Sequence, residues 1–138
     1  MIYGIGTDLC DARRIERSLS KFGQRFKDRI FTTGEQSYCD AKSGAHHYYA
    51  KRFAAKEALA KALSGPHTGS LSWTDVEVVN DPSGRPRLVL HGGAKRRLQI
   101  FTPEHHEAFI HLSLSDEPPY ASAYVIVELR PIGSLYNG

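Results

Sequence analysis

Cysteine, methionine and tryptophan are scarce in this 138-residue chain, which has two, one and one of them. The two cysteines, Cys10 and Cys39, have neither the number nor the spacing of a disulfide framework or a zinc site, so both are expected as buried structural thiols. No run of about 18 apolar residues occurs, which disfavours a membrane span. The opening Met-Ile-Tyr-Gly-Ile-Gly-Thr-Asp also lacks the basic start and apolar stretch of an export signal. These absences predict a cytoplasmic protein with no membrane partner. Repeats, low-complexity tracts and domain linkers are missing too, while 41% hydrophobic residues suffice to bury one core. The expected organisation is a single domain over 1–129 with a loose tail over 130–138.

Net charge is only +3, but it is unevenly placed. Between Asp11 and Arg29 lie seven cations (Arg13, Arg14, Arg17, Lys21, Arg25, Lys27, Arg29) and three anions (Asp11, Glu16, Asp28), a local surplus of +4 that exceeds the whole chain's. Such a segment is either a solvated helix face or a footprint for an anionic partner. A nucleic acid is the alternative partner. Against it, the aromatic and glycine signatures of common nucleic-acid folds are missing, so none is expected.

Hydrophobic spacing sets the element order. Ile2 to Gly6 reads as a short strand with Asp8 just past its end. Ala12, Ile15, Leu19, Phe22 and Phe26 then recur at steps of three and four, the stripe of one amphipathic helix with Arg14, Arg17 and Lys21 on its wetter flank. A turn at Thr32 to Glu35 precedes a helical stretch from Gln36 to Ala41. The strongest helix runs from about His47 to Leu63 and is closed by Ser64-Gly65-Pro66. Asp75 to Val78 and Arg87 to Leu90 flank the turn Asp81-Pro82-Ser83-Gly84 as a β-hairpin. A short helix at Ala94 to Ile100 and two strands, Ala108 to Ser115 and Ala121 to Leu129, complete an α+β domain with an antiparallel sheet and a long central helix. Alternation puts Phe109, His111, Ser113 and Ser115 on one strand face and Ala108, Ile110, Leu112 and Leu114 on the core face.

Two features could carry chemistry. On the central helix Phe53, Glu57 and Lys61 are four apart and share a face, which spacing alone equally explains as a surface ion pair. Asp8 alone equally suits a turn or a helix cap. Together, Gly4-Ile5-Gly6-Thr7-Asp8 and Arg52-Phe53-Ala54-Ala55-Lys56-Glu57-Ala58-Leu59-Ala60-Lys61 resemble the two-part signature of the 4'-phosphopantetheinyl transferases, in particular the short bacterial holo-acyl-carrier-protein synthase type. Phe31-Thr32, Glu35, Tyr38-Cys39, Leu71-Ser72-Trp73, Glu77, Asn80-Asp81, Gly84-Arg85-Pro86, His111-Leu112-Ser113-Leu114-Ser115 and Tyr120-Ala121 extend the likeness from Ile2 to Glu128.

The resemblance implies transfer of 4'-phosphopantetheine from coenzyme A to a serine of apo acyl carrier protein, with release of 3',5'-ADP. It implies Mg²⁺ held by Asp8 and Glu57, the hard oxygen donors this ion takes. Lys61 matches a family lysine placed to neutralise phosphate charge and to contact coenzyme A. Glu57, directly or through a metal-bound water, is the candidate general base. Arg52, the turn Gly84-Arg85-Pro86 and His111 correspond to contacts with the nucleotide end. Arg13, Arg14, Arg17, Lys21 and Arg25 fall on the helix that docks the acidic carrier protein, and the family assembly implies a homotrimer with sites between subunits. The sequence departs from the pattern at Asp116, where many relatives have histidine, and in the altered loop Gly65-Pro66-His67-Thr68-Gly69. A pyrophosphate hydrolase using water in place of the serine is the rival chemistry.

Overall fold

The computed structural model describes residues 1–64 and 71–133. In chain order the elements are β1 (Ile2–Asp11), α1 (Ala12–Phe22), α2 (Gln24–Ile30), α3 (Thr33–Asp40), α4 (Ala45–Ala62), a 3-10 turn at Trp73–Asp75, β2 (Val76–Asn80), β3 (Pro86–Leu90), α5 (Gly92–Phe101), β4 (His106–Glu117) and β5 (Tyr120–Pro131). The α+β class is as expected. The strands form two antiparallel sheets, a three-stranded one in the order β1-β5-β4 and the β2-β3 hairpin.

Four boundaries differ from the sequence reading. β1 does not stop at Gly6: its ladder with β5 continues to Asp11 opposite Tyr120, so Asp8 lies inside the strand. Outward Ile5 and Leu9 alternate with inward Gly6 and Cys10, a period-two pattern hidden by the glycines. The stripe from Ala12 to Phe26 is broken in two, because Gly23 takes φ 55 and ends α1 while opening α2. The presumed turn at Thr32 to Glu35 is the capped start of α3: the Thr32 hydroxyl accepts from Glu35 N, and Glu35 Oε1 accepts from Thr32 N. Finally, Arg130 and Pro131 belong to β5 rather than to a tail. The stop at Gly65-Pro66, the altered loop to Gly69 and residues 134–138 lie outside the described residues.

The core forms where α4 lies across the three-stranded sheet. Ala54, Ala58 and Ala62 meet a wall of Ala121, Ala123, Val125, Val127 and Leu129, all buried. The small helix side chains let the backbones approach closely, and Gly4 and Gly6 complete the fit. A Cβ on Gly6 would sit 1.7 Å from Ala58 O, and one on Gly4 would sit 1.9 Å from Ala62 O. The other sheet face is open and apolar, with Ile5, Leu9, Tyr124 and Ile126 all exposed. Cys10 and Cys39 are buried, and burial pushes each thiol up to about 11, so both remain protonated packing groups.

Candidate active site

Gly4, Gly6 and Asp8 occupy one face of β1, and the two glycines already touch α4 at Ala62 and Ala58. The carboxylate that follows them therefore arrives beside the next turns of the helix. Lys61 Nζ reaches across to it, donating to Asp8 Oδ1 at 3.2 Å and to Thr7 O at 2.9 Å. The pairing differs from the sequence expectation, because Lys61 is tied to the strand and not to Glu57 one turn before it. Glu57 is half-buried, and its pKa is raised first by burial and then by the negative charge of Asp8, with Lys61 pulling the other way. Two residues 49 positions apart in sequence thus act on each other as neighbouring charges.

The cationic helix borders this pair. After burial, the charges of Arg14, Asp8, Asp11 and Glu57 all bear on the Cys10 thiol near the end of β1. Arg14, Arg17 and Lys21 line a groove of about 390 Å³ together with Ile15, Phe22 and Phe53. Phe53 stacks on Trp73 with ring centroids 5.1 Å apart, and it lies one turn before Glu57. Arg25 lines an adjoining groove of about 710 Å³ with Phe22, Phe26 and Arg29. Arg13 stands apart from both. Its guanidinium pairs with Asp11 at 2.8 Å, and Asp11 also caps α1 through Arg13 N at 2.9 Å. That guanidinium and the capped backbone bond hold the Asp11 carboxyl down at about 2.

The expected nucleotide contacts are only partly brought together. Arg52 is buried, donates to Asn80 Oδ1 at 2.6 Å and lies 4.2 Å from the Tyr38 ring centroid. It lines a groove with Lys51, Gly84, Pro86 and Asp116. Gly84 takes φ 89, and its carbonyl accepts from Asn80 Nδ2 at 3.0 Å, so the turn is anchored to Arg52 through Asn80. Arg85 is exposed. His111 is elsewhere: it projects from the open sheet face, where Nε2 meets Glu128 Oε1 at 2.9 Å. The expectation that His111 shares a cradle with Arg52 and this turn is not met within one chain. Ser115, on the same strand face, does line that groove, so the separation is one of distance along β4, about 13 Å for an offset of four residues.

Sequence reasoning missed the most enclosed charges. Lys56 and Glu35 form a 2.7 Å ion pair with side chains 1% and 0% exposed. The sequence signal was available, since Lys56 lies one helical turn from Arg52 on a helix otherwise filled with alanine, but its partner is 21 residues away in another element.

The model of the 4'-phosphopantetheinyl transferase superfamily matches residues 4–125. The chain belongs to this superfamily. It is similar to the holo-[acyl-carrier-protein] synthase of Methylorubrum extorquens (strain PA1), with 56% identity over 132 residues that cover 96% of this chain and 97% of that protein. The crystal structure of the synthase from Neisseria meningitidis matches with a TM-score of 0.78 and 38% identity, covering 93% of this chain and 99% of that one. The synthase from Bacillus anthracis, solved in complex with CoA (3',5'-ADP), matches with a TM-score of 0.71 and 33% identity over 92% and 96% of the two chains.

The superfamily likeness implies a divalent cation at the acid pair, and the residues fit one. Asp8 and Glu57 supply hard oxygen donors, and the Glu57 pKa is raised first by burial and then by the charge of Asp8, the second of which a cation would offset. Among the described residues no three His, Cys, Asp or Glu side chains converge. Asp8 and Glu57 are the residues that would hold it, and two carboxylates suit an ion that keeps waters and takes phosphate oxygens.

Proposed function

We infer that this chain transfers 4'-phosphopantetheine from coenzyme A to a serine hydroxyl of apo acyl carrier protein. One observation carries the reading: Lys61 pairs with Asp8 at 3.2 Å, the Asp8 charge reaches Glu57, and Phe53, one turn before Glu57, lines a groove with Arg14, Arg17 and Lys21. In the reaction the serine oxygen bonds to the phosphorus that bears pantetheine. The bond from that phosphorus to the bridging oxygen breaks, and its electron pair leaves with 3',5'-ADP. Glu57 takes the serine proton, a role for which a positioned carboxylate needs no shifted pKa. Lys61, fixed by Thr7 and Asp8, presents an ammonium to the phosphate oxygens. Mg²⁺ held by Asp8 and Glu57 supplies charge stabilisation at the diphosphate.

The groove cations Arg14, Arg17 and Lys21, with Arg25 beside them, take the acidic face of the carrier protein, and complementary charge speeds encounter and sets register. Arg13, held by Asp11, contributes to this face only at its edge. Arg52 and the turn Gly84-Arg85-Pro86 hold the nucleotide end of coenzyme A. A homotrimer accounts for His111. A second copy covering the apolar sheet face would remove Ile5, Leu9, Tyr124 and Ile126 from water, and His111, on that same face, would then lie at the subunit interface. No helix among the described residues is long and apolar enough to cross a membrane, in keeping with work on cytoplasmic carrier proteins.

The test is mass spectrometry of apo carrier protein incubated with this chain, coenzyme A and Mg²⁺. The expected result is a gain of one phosphopantetheine on the carrier serine. Release of 3',5'-ADP with no change in carrier mass would overturn the transfer reading in favour of hydrolysis.

A further inference from the structure

The buried pair Lys56–Glu35 joins three stretches of chain that are far apart in sequence: α3, the middle of α4, and the 3-10 turn with the start of β2. Lys56 Nζ donates to Glu35 Oε1 at 2.7 Å, to Trp73 O at 3.0 Å and to Val76 O. Glu35 accepts in turn from Thr32 N at 3.0 Å and, through Oε2, from Val78 N at 2.9 Å. One ammonium thus secures the first turn of α3, the 3-10 turn and the start of β2 to the middle of α4. One helical turn away, Arg52 secures the other end of β2 through Asn80, whose amide holds the Gly84 carbonyl. β2 is pinned to α4 at Val76 and at Asn80, and the loop at Gly84 hangs from the second pin.

We propose that Lys56 is a positioning residue that sets the offset between the nucleotide loop at Gly84-Arg85-Pro86 and the transfer centre at Asp8, Glu57 and Lys61. The proposal deepens the transferase reading and rests on it. Coenzyme A has a fixed length between its adenosine and its diphosphate, so a protein that grips both ends needs its two grips held apart by a rigid element. α4 is that element. Glu57 follows Lys56 directly in sequence but leaves the helix about 100° further round, so the same turn faces the hairpin with an ammonium and the diphosphate with a carboxylate. Lys56 itself touches no substrate, because its side chain is 1% exposed and every contact it makes is internal.

The experiment compares Lys56→Met, the charge-balanced double variant Glu35→Met with Lys56→Met, and Lys56→Arg, each checked for a cooperative melt. Affinity for 3',5'-ADP is measured by calorimetry, and KM is measured separately for coenzyme A and for carrier protein. Removing only the lysine leaves a buried carboxylate and risks unfolding; the double variant avoids this, and the bulkier guanidinium pushes the hairpin outward without removing charge. In every variant that folds, the 3',5'-ADP dissociation constant and KM for coenzyme A are expected to rise by about tenfold or more, the scale of a sub-ångström to ångström misplacement. KM for carrier protein is expected to stay as in the wild type. A folded variant with unchanged 3',5'-ADP affinity, or one in which both KM values rise together, overturns the positioning role. Failure of the unmodified chain to bind 3',5'-ADP at all would instead remove the functional reading on which the inference rests.

Discussion

Substituting Gly6 by alanine tests the contact that brings the site together. The added Cβ would lie 1.7 Å from Ala58 O, 2.7 Å from Ala58 C and 2.9 Å from Ala62 N, and all three are backbone atoms with no rotamer to yield. Restoring the carbonyl contact to 3.0 Å, below which real Cβ atoms essentially never fall, requires α4 and β1 to part by about 1.3 Å. Overpacking of this kind costs about 1–3 kcal/mol, and the backbone clash puts Gly6 at the upper end. The gain from a stiffer unfolded chain returns at most about 1 kcal/mol, leaving a net loss near 2 kcal/mol. For a domain of this size the melting temperature should fall by roughly 8 °C. Asp8, two residues further along the same face, moves with the strand, so turnover should drop about a hundredfold at saturating coenzyme A. Thermal melts and the carrier-modification assay, run on the same preparation, read both effects. A folded Gly6→Ala protein with wild-type turnover would refute the reasoning, because the acid pair would then not depend on this contact.

Glu57→Gln separates catalysis from stability: turnover should fall about a hundredfold, while in chelator the melting temperature rises, because the uncharged amide no longer repels Asp8. A melting temperature that falls in chelator would show that Glu57 is not under this repulsion. Arg14→Glu combined with Arg17→Glu should weaken carrier binding and abolish its salt dependence while sparing 3',5'-ADP binding, as calorimetry against each ligand would reveal. Glu77 gives the pH dependence. Burial pushes its pKa up, but hydrogen bonds from Thr32 and His91 together outweigh that and hold it below the ordinary 4.5. Its contribution to stability is therefore complete above pH 4.5 and is lost as pH falls through the lower folded value. Melts from pH 7 downward should show a shallower acid decline in Glu77→Gln than in the wild type, and parallel curves would exclude this role.

What could be read from the sequence was whatever is local or periodic. The central helix, the hairpin and the alternation of Ala108 to Ser115 all rest on spacings within a dozen residues, and each appears in the structure close to its expected place. Misplaced boundaries have physical causes that spacing does not carry. β1 continues past Gly6 because β5 supplies its ladder, a partner more than a hundred residues away. α1 ends at Gly23 because that residue takes a left-handed φ, while the apolar stripe runs on unbroken into α2. The acids Asp8 and Glu57 were found by the resemblance, since neither spacing nor composition joins a strand residue to one on a later helix. His111 was assigned to the right strand face, but only the three-dimensional structure shows that the groove beside Arg52 takes Ser115 from that face and not His111.

The division of labour around α4 explains why one helix carries so much of the signature. Ala54, Ala58 and Ala62 must be small to admit the glycines of β1, so they set the approach of Asp8. Arg52 and Lys56 must be long and cationic to reach their acceptors. Lys56 is tolerated in the interior because Glu35, Trp73 O and Val76 O accept from it, while Arg52 donates to Asn80 and lies over the Tyr38 ring, with its Nε left without a hydrogen bond among the described residues. Phe53, Glu57 and Lys61 share the remaining face, with Phe53 lining the groove and Lys61 reaching Asp8. Each of the three faces thus constrains its residues for a different reason, and a change on either structural face reaches the reacting groups only through displacement. Anchoring substitutions should therefore raise KM for coenzyme A, and packing substitutions should lower turnover only together with the melting temperature, whereas those at Glu57 and Lys61 should lower turnover with the melt intact. Comparing KM, kcat and the melt across the three faces distinguishes these outcomes, and an Ala58→Val protein that lost kcat with an unchanged melt would break the scheme.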